Sequence, residues 1–200
     1  MKKIGDYLEK HAKLVLVVLF IIGILVYGAL SYKMKVAVYH DVDEELYISM
    51  ARTFHYDGNF AKNYEVLNYN CVIYSMIISV AYFFYSAKHI LFIMRMIGVL
   101  LMMSSIFPIY LLSKEVLKDK KKALLITAVS LLIPELTSTL YLIQEVLCYP
   151  VFLWIAYLAY LKFTKEKNKI IDIALIILLA LIFFIKSYAI VFAGAYFLSL

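Results

Sequence analysis

Charged side chains are scarce in this 200-residue chain. Aspartate, glutamate, lysine and arginine make up 17% of the sequence, whereas apolar residue types make up 65%. A soluble domain of this size carries about 25% charged and about 45–50% apolar residues, and one soluble core has no room for the apolar surface present here. The composition therefore excludes a soluble globular enzyme and a disordered chain, and it predicts a membrane protein.

Cysteine, proline and glycine are also rare, with two, three and six residues respectively. Cys71 and Cys148 lie inside apolar segments and belong to no Cys-x-x-Cys or Cys/His spacing, which argues against a disulfide framework and a zinc site. The glycines and prolines form no linker, and no repeat or low-complexity stretch is present. We therefore predict a single domain over residues 1–200.

The excess of basic over acidic residues, 20 against 14, is explained by lysines that flank predicted membrane spans. The lysines fall in short clusters between apolar runs rather than along one helix face, so nucleic acid is not expected as a partner. Lysines that flank membrane spans mark the cytoplasmic side. The three clusters predicted to be cytoplasmic are Met1–Lys13, Lys114–Lys122 and Lys162–Lys169.

Apolar runs of the right length predict an all-α, polytopic transmembrane helical bundle, because a helix needs about 20 residues to cross the hydrocarbon core. A shorter run, Cys71–Ala87, ends in aromatic residues typical of membrane interfaces. A crossing there would place Lys114–Lys122 on the wrong side, so we predict a surface helix. The six predicted crossings are Leu14–Tyr32, Ile90–Ser113, Ala123–Leu142, Ile143–Leu161, Ile170–Ile185 and Ser187–Leu200.

This topology predicts a multi-pass protein of the cell membrane with a cytoplasmic N-terminus and an extracytoplasmic loop over residues 33–89. Within the loop, Leu46, Met50 and Phe54 share one face of a predicted amphipathic helix, Asp43–Phe54, that rests on the membrane surface. Asp43, Glu44 and Arg52 are expected on its other faces. The last apolar run has no polar flank after Leu200, so we expect the N-terminal part of a longer protein.

Ionisable residues inside apolar runs cost about 2.5–3.5 kcal/mol each on insertion scales, so they are candidates for function. Glu145 and Lys186 are predicted to lie on the outer side with Asp43 and Glu44, and Arg95 near the outer end of the second crossing. Simpler alternatives remain open, namely a solvated interfacial carboxylate for Glu145 and a snorkelling side chain for Lys186.

Several short motifs occur in an order that resembles the GT-C integral-membrane glycosyltransferases, in particular the protein O-mannosyltransferases and the lipid A aminoarabinose transferase. An opening span is followed by an acidic motif, Asp43-Glu44-Glu45-Leu46-Tyr47, then Ala51-Arg52 and a turn at Tyr56–Phe60. Later come Tyr141–Glu145, at the start of a helix rich in leucine and aromatic residues, and a basic residue between two crossings, Lys186. The proline that the family places before its Tyr-rich surface helix is absent.

The resemblance implies an extracytoplasmic enzyme of the cell envelope that moves a sugar from a polyprenyl-phosphate carrier to the hydroxyl of a glycan or protein acceptor, with inversion. It implies no certain cofactor and no assigned metal ligand. It assigns a catalytic role to Asp43, as general base, and to Glu44. It implies that Glu44 and Glu145 shape the acceptor or sugar pocket, and that substrate is bound by Tyr47, Arg52, Arg95, Glu145 and Lys186, with Arg52, Arg95 and Lys186 facing the lipid phosphate.

Other interpretations of the same residues stay open. A non-catalytic transporter or carrier-lipid flippase would line a translocation path with Glu135, Glu145 and Lys186, although the internal repeats of many transporters are missing. A divalent metal is also possible, because His40, Asp41, Asp43 and Glu44 offer oxygen and imidazole ligands without a recognised spacing. As a third possibility, residues 1–200 form a scaffold that has no activity alone.

Overall fold

The computed structural model describes residues 10–33, 42–62, 65–66, 71–84, 87–164, 168–187, 191 and 194. Apart from one small hairpin, the regular structure in these residues is helical, so the all-α prediction is confirmed. The α-helices are α1 (Ala12–Lys33), α2 (Val42–Asp57), α3 (Ile73–Ile78), α4 (Ala87–Met103), α5 (Ile106–Leu117), α6 (Lys120–Ser130), α7 (Glu145–Thr164) and α8 (Lys169–Ile185).

Two 3₁₀ helices and one hairpin complete the regular structure of the described residues. The first 3₁₀ helix, Ser79–Phe83, continues directly from α3, and the second, Pro134–Leu140, follows α6. The hairpin pairs β1 (Ala61–Lys62) with β2 (Glu65–Val66) in antiparallel register. An ion pair of 3.2 Å between Lys62 and Glu45 ties this hairpin to α2.

Three helical stretches of the described chain are long and apolar enough to cross a membrane: Ala12–Lys33, His89–Leu117 and Glu145–Thr164. They coincide with the predicted crossings Leu14–Tyr32, Ile90–Ser113 and Ile143–Leu161, by length and composition. The fifth predicted crossing corresponds to α8, which has 17 residues and is shorter than these three. The sixth, Ser187–Leu200, lies almost entirely outside the described residues.

The predicted crossing Ala123–Leu142 is not one straight helix. It consists of α6 and the second 3₁₀ helix, which are bent by 49° relative to each other. The break has a local cause, since the ring of Pro134 disfavours helical geometry in the preceding residue, and Ile133 is extended with ψ 142°. Two hydroxyls of α1 lie across the break: Tyr27 donates to the carbonyl of Leu131 at 2.8 Å, and Ser31 donates to that of Thr139 at 3.3 Å.

The three lysine clusters meet at one end of the bundle, which we call the lysine end. Ala12 and Leu16 of α1 pack in one apolar cluster with Tyr110 of α5 and with Ala123 and Leu124 of α6. The Tyr160 hydroxyl near the end of α7 donates to the carbonyl of Glu115 in α5, at 3.4 Å. The described lysines of all three clusters therefore share one end, as the parity argument requires; which membrane face this end occupies stays a prediction.

Polar caps fix the two turns at the lysine end. The side chain of Asp119 accepts hydrogen bonds from the backbone N–H groups of Lys121 (2.8 Å) and Lys122 (3.1 Å) at the start of α6. These bonds, that from Lys122 foremost, lower the pKa of Asp119. Asn168 caps α8 in the same way by accepting from the N–H of Ile170 at 2.9 Å.

The loop helix α2 confirms the predicted helix but corrects its orientation. Met50, predicted to face the membrane surface, is instead buried within the protein, and so are Tyr47, Ala51 and Glu44, which is only 3% exposed. These residues face the body of the protein, because α2 packs against α3 and the first 3₁₀ helix. The segment predicted as a surface helix, Cys71–Ala87, thus contributes an 11-residue apolar helix, Ile73–Phe83, that is too short to be a span.

Candidate functional site

A buried acidic side chain, Glu44, connects the loop helix to the end of the bundle opposite the lysine end. Its Oε1 accepts a hydrogen bond of 2.8 Å from the backbone N–H of Leu142, which is itself 1% exposed. A carboxylate in the first turn of α2 also suits the positive end of that helix dipole. These partners explain why burial of Glu44 is tolerated, and they make it a clamp between α2 and the segment before α7.

Glu145 and Lys186 form an ion pair at the same end. Glu145 is the first residue of α7, and its Oε1 accepts from the Nζ of Lys186, which follows the last residue of α8. The pair is partly open to solvent, with 33% of the Glu145 side chain and 13% of the Lys186 side chain exposed. The ion pair brings together two residues that the sequence singled out separately, whereas their proximity to Asp43 stays a prediction.

Tyr74 of α3 lies at the centre of these charges. It is fully buried and packs edge to face against Tyr47, with ring centroids 5.4 Å apart. Burial raises the pKa of Tyr74, and the charges of Glu44 and Glu145 raise it further, while the Arg95 charge opposes them. The carboxylates and the guanidinium therefore act on one hydroxyl. We call Glu44, Tyr74, Arg95, Glu145 and Lys186 the buried polar cluster.

The Tyr74 hydroxyl, the Ser75 hydroxyl and the Gln144 side-chain oxygen, in and beside the buried polar cluster, have no hydrogen-bond partner among the described residues. Each of these three residues is at least nine-tenths buried. Buried polar groups in folded proteins are nearly always paired with protein or water. The cluster thus offers hydrogen-bonding capacity to a water molecule or a polar ligand.

Asp43 differs from its neighbour Glu44 in being exposed. Its carboxylate has no hydrogen bond or ion pair with the described residues. The two members of the acidic motif therefore have separate surroundings: Asp43 is open to an approaching molecule, whereas the carboxylate of Glu44 is held by Leu142. Of the two residues predicted to be catalytic, only Asp43 is in reach of solvent.

The residues predicted to bind substrate fall into three groups. Glu145 and Lys186 are paired and partly exposed, whereas Arg95 is 8% exposed and Tyr47 1% exposed, within the core. Arg52 is exposed and lines a different pocket of about 540 Å³ between α2 and the hairpin, which we call the loop pocket. The described lining of that pocket includes Ser49, Thr53, Tyr56, Asp57 and Asn59 but no member of the buried polar cluster.

The described part of the chain contains no candidate metal site, because no three or more of its His, Cys, Asp and Glu side chains are grouped so that they could hold an ion. Two of the ligands considered from sequence, His40 and Asp41, lie outside the described residues. The other two, Asp43 and Glu44, have the different surroundings described above.

Tyr74, Ser75 and Gln144 are site residues that sequence reasoning did not single out. Tyr74 and Ser75 lie in a run of apolar and aromatic residues, where one more tyrosine carries no special signal. Gln144 directly precedes Glu145, and its carbonyl accepts from the N–H groups of Leu147 and Cys148 at the start of α7. A polar residue in the last position before an apolar helix is the one signal that marks Gln144.

Comparisons of this chain with models of protein families, with curated proteins and with solved structures find no match. Its function is therefore inferred from the chemistry and geometry of its own residues.

Proposed function

We propose that this chain builds the extracytoplasmic active site of a membrane-bound GT-C-type glycosyltransferase. The observation that carries the proposal is the exposed carboxylate of Asp43, adjacent in sequence to Glu44 of the buried polar cluster, at the end of the bundle opposite the lysine end. A carboxylate that accepts a proton and a partly open cation that stabilises a phosphate, here Asp43 and Lys186, are the two groups that transfer from a sugar phosphate requires.

The proposed reaction assigns a separate task to each charged group. The acceptor hydroxyl oxygen bonds to the anomeric carbon of the donor as the bond from that carbon to the phosphate oxygen breaks, which inverts the configuration. The bonding electrons leave with the polyprenyl phosphate, and Asp43 accepts the hydroxyl proton. Lys186 stabilises the phosphate as its negative charge develops.

Within this scheme the other members of the cluster position the reacting groups. Glu145 holds the ammonium of Lys186 through their ion pair. Glu44 fixes the start of α2, and hence the backbone of Asp43, through its bond to Leu142. Arg95 is buried and supplies a fixed positive charge near Tyr74, on which both glutamates also act, rather than a direct contact with the carrier.

The site also suits a substrate that is polar at one end and oily at the other. Val80, Phe83 and Phe84, in and just after the first 3₁₀ helix, are 48%, 68% and 55% exposed. Exposed aromatic side chains on a short apolar helix are typical of the membrane interface. We propose that this surface lies in the outer headgroup region, where a prenyl chain in the lipid brings its phosphate to Lys186.

One observation favours a second function, the translocation of a lipid-linked solute. The bent pair formed by α6 and the second 3₁₀ helix resembles the discontinuous helices of transporters. Transporter sites, however, lie near the bilayer midplane, whereas Glu145 and Lys186 are at helix ends and Glu135 is exposed. We therefore rank translocation second.

The deciding experiment uses the complete protein in sealed vesicles with its outer side exposed, supplied with polyprenyl-phosphate sugars and acceptor. We expect sugar transfer by the unaltered protein, loss of transfer in Asp43→Asn, and a lowered kcat of transfer in Lys186→Met, because Lys186 acts on charge that develops in the transition state. Glu65→Gln is the matched control, since it removes an exposed carboxylate from the hairpin of the same loop.

Two outcomes would reject this assignment. Full activity in Asp43→Asn would exclude Asp43 as the base. Movement of the labelled carrier lipid across the bilayer without any sugar transfer would show that the protein is a translocator and not a glycosyltransferase.

A further inference from the structure

A second pocket lies at the lysine end, far from the buried polar cluster. It is formed where the start of α1 faces α5 and the first residue of α6, and its volume is about 580 Å³. Four lysines line it, and we call it the basic pocket: Lys10, Lys13, Lys114 and Lys120.

The charge in the basic pocket is of one sign. No acidic side chain is among its described lining residues, and Lys10, Lys13 and Lys114 make no ion pair with any described acidic residue. The neighbouring carboxylate of Glu115 is engaged by Lys118 at 3.2 Å. An anion that enters the pocket would therefore meet the ammonium groups of Lys10, Lys13 and Lys114, which no described carboxylate neutralises.

The wall of the basic pocket that leads into the bundle is apolar. Phe107 and Leu111 of α5 line it together with Leu14 of α1, which is 58% exposed. Further along α1, Val17 and Val18 are 48% and 46% exposed, so an apolar surface continues from the pocket along the span. A ligand that complements both the lysines and the apolar wall of the pocket has an anionic headgroup and hydrocarbon chains that lie along α1.

We propose that the basic pocket binds the phosphate headgroup of an anionic glycerophospholipid of the leaflet that faces the lysine end. Clusters of lysine beside membrane spans attract anionic lipids by about 1 kcal/mol per residue, and basic pockets between spans bind their headgroups. The proposal requires α1 to lie in the bilayer but does not depend on glycosyl transfer, since the pocket shares no residue with the proposed active site.

The test measures lipids bound to the purified full-length chain in neutral detergent by native mass spectrometry. The probes are phosphatidylglycerol and phosphatidylcholine with identical acyl chains, and glycerol phosphate as the headgroup without chains. We expect tighter binding of phosphatidylglycerol than of phosphatidylcholine, and no retained glycerol phosphate. The double variant Lys13→Gln/Lys114→Gln should weaken phosphatidylglycerol binding about 30-fold, from about fivefold per lysine.

The matched control is Lys122→Gln/Lys169→Gln, which removes the same charge from exposed positions at the same end but outside the basic pocket. We expect it to bind phosphatidylglycerol more tightly than the pocket variant does, because exposed lysines outside the pocket attract the lipid only through surface charge that salt screens. An equal loss in both double variants would show diffuse surface attraction and overturn the proposal. Retention of glycerol phosphate as strongly as of the lipid would overturn it too, because the pocket would then bind a soluble anion. Circular dichroism of each variant separates lost binding from lost folding.

Discussion

Replacement of Glu44 by alanine should destabilise the fold more than replacement of Asp43 or Glu45, the other acidic residues of the motif. The substitution removes a hydrogen bond between a carboxylate and a backbone N–H, in a place where both partners are almost fully buried. Hydrogen bonds to charged groups contribute about 1.5–3 kcal/mol, and the buried N–H of Leu142 would lose its acceptor. At about 2–4 °C per kcal/mol for a chain of this size, the melting temperature should fall by about 3–12 °C.

The assay is thermal unfolding of the detergent-solubilised protein, followed by circular dichroism at several scan rates. Glu44→Gln keeps an oxygen that can accept from Leu142, so it should lose less than the alanine variant. Asp43→Ala is the control, since it removes the same charge one residue away from an exposed position and should change stability by about 0.5 kcal/mol at most. Equal melting temperatures for the Glu44→Ala and Asp43→Ala variants would refute the clamp between α2 and Leu142.

Four further predictions concern other parts of the molecule. Glu145→Gln and Lys186→Met should each lower the melting temperature. The double variant should lose less free energy of unfolding than the two single variants together, with a coupling energy of about 0.5–3 kcal/mol. Strictly additive losses would show that the ion pair contributes nothing to stability. Tyr74→Phe should keep or raise the free energy of unfolding, by up to about 1 kcal/mol, because the hydroxyl has no described partner; a clear fall would reveal a hidden bond. Cysteines introduced at Glu65 and Lys120 should react with an impermeant thiol reagent from opposite faces of the membrane. Cysteines introduced at Lys120 and Asn168 should react from the same face. Any other labelling pattern would contradict the placement of Lys120 and Asn168 at one end of the bundle and Glu65 at the other. The pKa of Asp119 is lowered in the fold, so the ionised Asp119 stabilises the protein above its unfolded-state pKa of about 3.9, and this effect is lost as the pH falls through its folded-state pKa. Asp119→Asn should therefore lessen the acid-induced drop in melting temperature. An unaltered dependence of the melting temperature on pH would exclude this contribution.

Apolar length is the part of the fold that the sequence predicted well, whereas the membrane face of the lysine clusters stays a prediction. The runs around α1 and α7 are long, contain few charges and end in lysine, and these features depend on residue type alone. The lysine clusters come from distant parts of the chain, yet the parity of the crossings already required them to share one end. Neither prediction needs knowledge of which side chains touch.

The burial of Glu44 was beyond sequence reasoning, because it depends on a backbone N–H that lies 98 residues away along the chain. Helical spacing does place Glu44 on one face with Tyr47 and Ala51, but a carboxylate is ordinarily assigned to solvent. The burial of Arg95 and Tyr47 was missed for a similar reason. These two side chains are enclosed by α2, α3 and α4, and the packing of these helices against one another depends on contacts between distant parts of the chain.

The break before Pro134 had a local signal that the count of apolar residues concealed. A run of about 20 apolar residues satisfies the length criterion for a span even when a proline ends the helix within it. For the candidate site, the sequence named Asp43, Glu145 and Lys186 as neighbours, and the last two are in direct contact. It had no means to name Tyr74, whose importance comes from the charges that surround it.

The hydroxyls of Tyr27 and Ser31 bear on how this chain is assembled during synthesis. Carbonyl groups of an interrupted helix cost several kcal/mol when they face hydrocarbon without a partner, so residues 120–140 make a poor independent insertion unit. Helix α1 precedes the interrupted stretch along the chain, so once α1 lies in the bilayer its two hydroxyls are available when that stretch emerges. Exchange of that helix for a foreign anchor without the two hydroxyls should trap the nascent protein with its third hydrophobic stretch outside the bilayer.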